Sequence, residues 1–268
     1  MSVAPISRGL MGPLPYAAVG DGPPLVSLAG LSPTTGFEGD GMVRATLGPL
    51  AASARTRRVV LFNRRPGLPR GMTMAALAAE HAEAIRAGFG GPVDVVGTST
   101  GGSIAQQLAA EHPDAVARLV LVSTACRLGP LGKRLQRRVA ARVRAGADAQ
   151  ALAVAAASLV PPGRGQLAAG LAGRLLGRRL IRDDLGDLAT TIEAEDDFDL
   201  ARLPAIRAPA LILAGADDRF YTPELFTETA RLIPGSTLRL LDGRGHITVM
   251  RDRRFRKALA EFLAQEVS

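Results

Sequence analysis

The chain has 268 residues, of which 47% are hydrophobic and 22% are charged. This balance is too apolar for a disordered chain and suits one large globular domain, or a domain with an insertion. The single cysteine, Cys126, excludes an intramolecular disulfide and a cysteine metal cluster. The N-terminus has no continuous apolar run of signal-peptide length, and the longest apolar stretch, at 151–160, is about half a membrane span. We therefore expect a cytoplasmic protein with no stable membrane insertion and no bound metal.

The net charge of +8 is unevenly distributed along the chain. Residues 127–182 contain twelve Lys or Arg and one acid, whereas residues 183–199 contain eight acids and no base. A basic surface can bind nucleic acid or an anionic membrane. Here, however, no aromatic residues are interleaved with the basic ones and no nucleic-acid motif is present. We predict a solvated helical surface that partly compensates its own charge, and no nucleic-acid partner.

Strands and helices alternate over most of the sequence. Short apolar runs bounded by turn residues predict strands over 24–30, 58–63, 93–97, 118–124, 209–215 and 237–243. Helical periodicity predicts helices over 72–91, 100–111, 223–233 and 252–265. Because the strands are apolar on both faces, the pattern indicates an α/β fold with a mostly parallel sheet flanked by helices.

The alternation stops between about residues 126 and 205. This stretch is rich in Ala, Leu and Arg, has no convincing strand and is helical in pattern except for a loop at 160–165. An insertion between two strands, placed over the carboxyl edge of a parallel sheet, would form a lid. We therefore expect a core of residues 1–125 and 206–268, with a helical lid of residues 126–205.

One serine stands between glycines where a predicted strand becomes a helix. The motif is Gly97-Thr98-Ser99-Thr100-Gly101. A sharp strand-to-helix turn exposes the serine oxygen, and it requires small residues two positions before and after the serine. Unpaired amides at the start of the helix also favour developing negative charge. Ser99 is therefore a candidate nucleophile; the alternative is an ordinary glycine-rich turn in which Ser99 caps the helix.

A serine hydroxyl becomes a good nucleophile only when a base takes its proton. The sequence has three histidines. His81 lies inside a helix, where we expect it on a surface face, and His112 lies in the last helical turn, where it complements the helix dipole. His246 instead follows a strand in a glycine-flexed loop, at the edge of the sheet where Ser99 also emerges. His246 is therefore the candidate base.

The base must in turn be oriented by a third group, usually an acid. Asp217 and Asp218 directly follow the strand at 209–215, which ends at the same edge of the sheet. Either carboxylate can orient a histidine, and either can cap a turn or a helix. The spacing alone leaves the two open.

Taken together, these motifs resemble the α/β-hydrolase superfamily, specifically its lid-bearing esterase-like and lactonase-like members with a serine nucleophile. The resemblance covers the chain from about Pro24 to the C-terminus, in the family's order of serine, acid and histidine. It is carried by LAGLS at 28–32, GTSTGG at 97–102, LILAGADD at 211–218 and GRGHITVM at 243–250.

The resemblance implies specific roles for several residues. In similar members the acid is the third residue after the glycine that ends the strand, which is Asp218 here. The oxyanion hole would consist of the backbone amides of Thr100 and Leu31. Family members usually have His-Gly before the second amide, where this chain has Ala29-Gly30. Arg64 and Arg65 occupy a loop beside the site, where we expect a structural turn, with substrate contact as the alternative.

The implied activity is hydrolysis of a carboxylic ester, thioester or lactone through an acyl-enzyme. The substrate would be a small molecule, most simply an apolar acyl compound, and no cofactor is needed. The same triad would also serve carbon–carbon bond hydrolysis, cofactor-free haloperoxidase chemistry or acyl transfer. A non-catalytic protein that binds a small molecule is the alternative outside enzymes. The sequence leaves the oligomeric state open.

Overall fold

The computed structural model describes residues 5–37, 39–180, 184–198 and 203–265, without the side chains of 178–180. Its centre is an eight-stranded sheet with the order β1-β2-β4-β3-β5-β6-β7-β8. Strands β3 to β8 are mutually parallel, and β1 and β2 form an antiparallel hairpin at one edge. The strands are β1 (Ile6–Met11), β2 (Leu14–Val19), β3 (Pro24–Leu28), β4 (Arg58–Phe62), β5 (Val93–Thr98), β6 (Val116–Val122), β7 (Ala210–Gly215) and β8 (Thr237–Leu241).

Helices cover both faces of the sheet, as the sequence predicted. Alternate residues of β6 show this: Leu119 and Leu121 join one hydrophobic cluster, while Val120 and Val122 join the other. Helices α2, α3 and α8 pack on the first face, and α1 and α9 on the second. The helices are α1 (Asp40–Leu47), α2 (Met74–Phe89), α3 (Thr100–Glu111), α4 (Pro130–Arg144), α5 (Asp148–Ser158), α6 (Arg164–Leu180), α7 (Gly186–Asp196), α8 (Pro223–Leu232) and α9 (Arg253–Leu263).

Four of these helices, α4 to α7, lie between β6 and β7 in the chain. Helices α4, α5 and α7 contribute to a separate small hydrophobic cluster, which includes Val139, Leu152 and Ile192. Helices α5 and α6 pack closely because α6 has a glycine at the contact: a Cβ on Gly173 would lie 2.6 Å from the carbonyl oxygen of Leu152. Within the segment 126–205, residues 181–183 and 199–202 lie outside the described residues.

The basic part of this insertion is paired with its acidic part. Arg137 forms a 2.6 Å ion pair with Asp196, and Arg144 forms one of the same length with Glu193. Lys133 adds a 2.9 Å hydrogen bond to the carbonyl oxygen of Asp196. The predicted partial compensation of charge is confirmed for these residues. None of the described helices is long and apolar enough to span a membrane.

The position of His81 differs from the one predicted from the sequence. Predicted on a surface face, His81 is 2% exposed and packs edge-on against Phe62 of β4, with 6.2 Å between ring centroids. Its Nδ1–H donates a 2.7 Å hydrogen bond to the carbonyl oxygen of Leu77. Burial lowers the pKa of His81 from 6.5 to about 4, because the charged imidazolium would lose its hydration. The ring is therefore a neutral part of the core.

Candidate active site

Ser99 occupies the tight turn between β5 and α3. Its backbone has φ 52° and ψ −123°, a left-handed conformation that non-glycine residues rarely adopt. Two hydrogen bonds hold the turn: Ser99 N–H donates to the carbonyl of Val122 at 2.9 Å, and Gly102 N–H donates to the carbonyl of Ser99 at 2.7 Å. Since the surrounding backbone fixes this geometry, the hydroxyl is raised above the end of the strand.

The glycines on either side of Ser99 are required by the close approach of neighbouring chain segments. A Cβ on Gly97 would lie 2.6 Å from Cβ of Ala105 on α3. A Cβ on Gly101 would collide with the backbone carbonyl oxygens of Leu28 and Ala29 at the end of β3. Any larger residue at these two positions would push apart the segments that define the turn.

His246 lies between Ser99 and Asp218. Its Nε2 is 3.0 Å from Ser99 Oγ, and its Nδ1 is 2.8 Å from Asp218 Oδ2. The Asp218 side chain is fully buried, and its second oxygen accepts hydrogen bonds from the N–H groups of Phe220 at 2.8 Å and Tyr221 at 3.2 Å. Asp217, the alternative acid, is exposed. The geometry thus joins Ser99, His246 and Asp218 in one hydrogen-bonded chain.

The protonation of the imidazole follows from its partners. An ionised carboxylate only accepts hydrogen bonds, so the proton sits on Nδ1, facing Asp218. Nε2 then carries the lone pair that faces the hydroxyl of Ser99. This arrangement lets the ring accept the serine proton.

Three further residues contact His246, and none of them was predicted from the sequence. Ser123, which also has a positive φ of 49°, donates from its hydroxyl to the carbonyl oxygen of His246 at 2.8 Å. The rings of Phe220 and Tyr221 lie 4.7 Å and 6.0 Å from the imidazole, centroid to centroid. One signal for Ser123 was present: it directly follows β6, the neighbour of β5, so a parallel sheet brings it to the same edge.

The two amides expected to form the oxyanion hole belong to residues close to Ser99. Thr100 is the next residue after Ser99, and Leu31 lines the same cavity as Ser99. The loop that carries Leu31 approaches closely, since a Cβ on Gly30 would lie 3.6 Å from Cβ of Ser99. Neither amide N–H donates a loop, turn or cap hydrogen bond to another backbone carbonyl of the described residues. Their role as the two oxyanion donors stays a prediction.

A cavity of about 210 Å³ lies beside Ser99 and His246. The core contributes Gly30, Leu31 and Phe220 to its wall. The inserted helices contribute mainly apolar side chains, namely Leu135, Val139, Leu152, Ala155, Leu159 and Leu188. The cavity is smaller than the roughly 300–1,000 Å³ of sites for drug-sized ligands. An apolar group of modest size therefore fits it best.

The arginines near the site have structural roles. Arg64 is buried and donates to the carbonyl oxygen of Ser32, and Arg65 forms a 2.7 Å ion pair with Glu80. Neither arginine lines the cavity. The predicted structural turn is confirmed. The backbone of the loop that carries these arginines also contacts the insertion. The amides of residues 67 and 68 donate hydrogen bonds to the carboxylate of Asp187 on α7.

Among the described residues, no group of three or more His, Cys, Asp or Glu side chains is placed to hold a metal ion. Cys126, which follows β6, is buried.

Comparison with known proteins assigns the family. A sequence model of the alpha/beta hydrolase family matches residues 28–260, from the last residue of β3 through most of α9. The chain belongs to the alpha/beta hydrolase family. The order of the motifs and the parallel sheet agree with this assignment.

Individual relatives of this alpha/beta hydrolase are distant. It is 30% identical to the polyketide synthase ThaQ of Burkholderia thailandensis over 261 residues, which is 91% of this chain but only 12% of that protein. A hydrolase from Pseudomonas aeruginosa PA01 has a similar structure, with 26% identity, a TM-score of 0.74, and coverage of 97% of this chain and 98% of the other. The enol-lactonase from Burkholderia xenovorans LB400 superimposes with the same TM-score at 24% identity, covering 97% and 100%, and shows the fold alone.

Proposed function

We propose that this alpha/beta hydrolase is a serine hydrolase that cleaves a carboxylic ester, thioester or lactone through an acyl-enzyme. The observation that carries the proposal is the hydrogen-bonded chain from Ser99 through His246 to Asp218, which faces an apolar cavity. A serine, a base and an orienting acid in this geometry are what nucleophilic catalysis by a hydroxyl requires.

In the acylation step, Ser99 Oγ attacks the carbonyl carbon of the substrate while its proton passes to His246 Nε2. The imidazolium that forms is stabilised by Asp218 on the opposite side of the ring. The carbonyl oxygen becomes an oxyanion and accepts hydrogen bonds from the amides of Leu31 and Thr100. A single donor of this kind is typically worth about a hundred- to a thousand-fold in rate.

Collapse of this intermediate breaks the bond to the leaving group. His246 gives its proton to the departing alcohol, thiol or ring oxygen, and the acyl group remains on Ser99. In the second half of the reaction, a water molecule loses a proton to His246 Nε2 and attacks the acyl carbon. The products are a carboxylic acid and free Ser99, so each step uses only groups of the chain and water.

The inserted helices act as a lid in this proposal. Their leucines line one side of the cavity, so they would contact the apolar part of the substrate while the core supplies the reacting groups. Because the cavity is small and apolar, short acyl chains or compact lactones are the favoured substrates. Similarity to part of a polyketide synthase is a reason to test thioesters as well.

Labelling with a fluorophosphonate, followed by intact-mass measurement, tests the proposal. We expect one adduct on the wild type and none on Ser99→Ala or His246→Ala. Ser158→Ala is the matched control, because it removes another serine hydroxyl from the wall of the same cavity and is expected to keep the adduct. A folded wild-type protein that takes up no probe would contradict the proposal and favour a protein that binds small molecules without cleaving them.

The substrate class is then resolved by a panel of nitrophenyl esters of increasing chain length, acyl thioesters and lactones. We expect the highest kcat/KM for short acyl chains. A wild type that carries the adduct but hydrolyses none of these compounds would redirect attention to acyl transfer, haloperoxidase chemistry or carbon–carbon bond cleavage by the same triad.

A further inference from the structure

Glu195, on α7 of the insertion, is completely buried and accepts hydrogen bonds from four side chains. Its Oε2 accepts from Thr100 Oγ1 at 2.7 Å and from Gln136 Nε2 at 2.9 Å. Its Oε1 accepts from Ser103 Oγ at 2.8 Å and from the hydroxyl of Tyr221 at 3.3 Å. The four donors come from α3, from α4 and from the loop after β7.

This carboxylate is held by neutral donors. No lysine, arginine or histidine within the described ranges forms an ion pair with Glu195. Removing a carboxylate from water is costly unless its oxygens are fully hydrogen-bonded. Burial, with Glu195 close by, raises the pKa of Tyr221 well above its ordinary value, so the phenol stays protonated and remains a donor. Such an arrangement orders every group that points at the carboxylate.

The groups it orders are neighbours of the reacting residues. Thr100 directly follows the nucleophile, and its amide is one of the two proposed oxyanion donors. The ring of Tyr221 is stacked on His246, and its backbone N–H donates to Asp218. Gln136 lines the cavity. One buried carboxylate of the insertion thus touches residues beside each member of the triad.

We propose that Glu195 is a positioning residue, which acts through Thr100 to aim the oxyanion amide and seats the inserted helices over the cavity. This inference rests on the proposed serine hydrolase activity. A purely structural tether between the insertion and the core is the competing explanation. The two differ in their effect on kcat: a tether supports stability alone, whereas a positioning residue also supports transition-state stabilisation.

The test compares Glu195→Gln, Thr100→Val and the double variant. Glu195→Gln replaces one of the two acceptor oxygens with an amide NH₂, which only donates. A hydroxyl group can rotate to accept a hydrogen bond from this NH₂, but the NH₂ of Gln136 cannot accept one. Thr100→Val keeps the backbone amide and removes its side-chain anchor. Steady-state kcat and KM are measured on an ester substrate and normalised to the sites titrated by a fluorophosphonate. Thermal unfolding is followed in parallel.

We expect Thr100→Val to lower kcat by at least about tenfold, because a misdirected oxyanion donor loses part of its hundred- to thousand-fold value. Glu195→Gln should lower kcat by a smaller factor, because its remaining carbonyl oxygen can still accept from the hydroxyl of Thr100. KM should change much less than kcat. The double variant should be no slower than the slower single variant, since both changes break the same connection. Thr100→Val carries the test by itself if Glu195→Gln does not fold.

Asp187→Asn is the matched control. Asp187 lies on the same helix and also joins the insertion to the core, but its contacts are the amides of Gly67 and Leu68, which do not line the cavity. It should lower the melting temperature and leave kcat per titrated site unchanged. With an active wild type, two results would overturn the role of Glu195. One is an unchanged kcat in both single variants, and the other is additive losses of kcat in the double variant. A wild type that takes up no probe would instead contradict the proposed function.

Discussion

Asp218 and His246 meet at the carboxyl edge of the sheet, with Oδ2 of the aspartate 2.8 Å from Nδ1 of the histidine. They follow β7 and β8, which are neighbouring parallel strands, so the topology alone brings their loops together. The backbone amides of Phe220 and Tyr221 hold the other carboxylate oxygen. Because this carboxylate cannot rotate freely, it fixes both the tautomer and the orientation of the imidazole.

Replacing Asp218 with Asn should therefore nearly abolish catalysis while the protein stays folded. An amide NH₂ facing Nδ1 favours the wrong tautomer, which costs roughly 10⁴-fold in kcat in triads of this type. The measurement is kcat on an ester substrate together with the rate of fluorophosphonate labelling. Asp217→Asn is the control and should retain activity, since Asp217 is exposed. The assignment of the acid would be reversed if Asp217→Asn were the inactive variant.

Gly101→Ala should disrupt the turn that carries Ser99. The added Cβ would meet the carbonyl oxygens of Leu28 and Ala29, which are backbone atoms at the end of β3 and cannot move without shifting the strand. Overpacking of this kind costs about 1–3 kcal/mol or more. We expect a lower free energy of unfolding in urea and a large loss of kcat. Gly91→Ala, at a site with open space, should change neither, and a Gly101→Ala protein as stable and active as the wild type would contradict the packing argument.

The fold was predictable where the sequence pattern reflects burial on both faces. The six strands β3 to β8 match the predicted runs to within a few residues, because each is an apolar segment bounded by turns. The hairpin of β1 and β2 was not predicted, since most of β1 is exposed and Ile6–Met11 includes an arginine and a glycine. Edge strands carry little of the apolar signal on which the prediction depends.

The site was predictable only in part. Ser99 and His246 could be identified from the neighbouring glycines and from their positions after strands. Asp217 and Asp218, however, are adjacent residues after the same strand, and only the fold of their turn shows which carboxylate faces His246. His81 was assigned to the surface because its helix is rich in alanine, so the two faces look alike in sequence. Glu195 was not predicted as a buried residue, because it lies in an acidic stretch for which the sequence predicts a solvent-exposed surface. Tertiary contacts decide all three cases.

Removing one member of the buried charge cluster at the opposite end of β5 from Ser99 should strongly destabilise the protein. Asp94 is 6% exposed and accepts two 2.7 Å hydrogen bonds from Arg118 and a further one from Arg57. Arg118 also donates to the carbonyl oxygen of Leu263 at the end of α9. Asp94→Asn would leave two arginines without their carboxylate, and breaking such a pair costs about 3–5 kcal/mol.

The free energy of unfolding in urea measures this loss. Asp114→Asn is the comparison, because Asp114 pairs with Arg86 at the surface, where such pairs are worth about 0–1 kcal/mol. Activity per folded molecule should be the same in both variants, since neither touches the site. Equal stability losses for Asp94→Asn and Asp114→Asn would show that burial of the cluster has no energetic consequence.

His81 should make the stability of the protein depend on pH below neutrality. Its folded-state pKa of about 4 lies below the unfolded value of 6.5, because burial disfavours the imidazolium. Above about pH 6.5 the ring is neutral in both states and costs nothing. As the pH falls from 6.5 to 4, the unfolded chain takes up a proton that the folded chain does not, so stability falls by about 1.4 kcal/mol per pH unit.

Over that window the loss attributable to His81 is about 3 kcal/mol. His81→Gln removes the titrating group. As the pH falls from 7 to 4, the unfolding free energy of the wild type should therefore decrease more than that of the variant. Urea unfolding at half-unit pH intervals provides the curves. Parallel curves for the wild type and His81→Gln would mean that the folded protein accepts a proton at His81 as readily as the unfolded chain does.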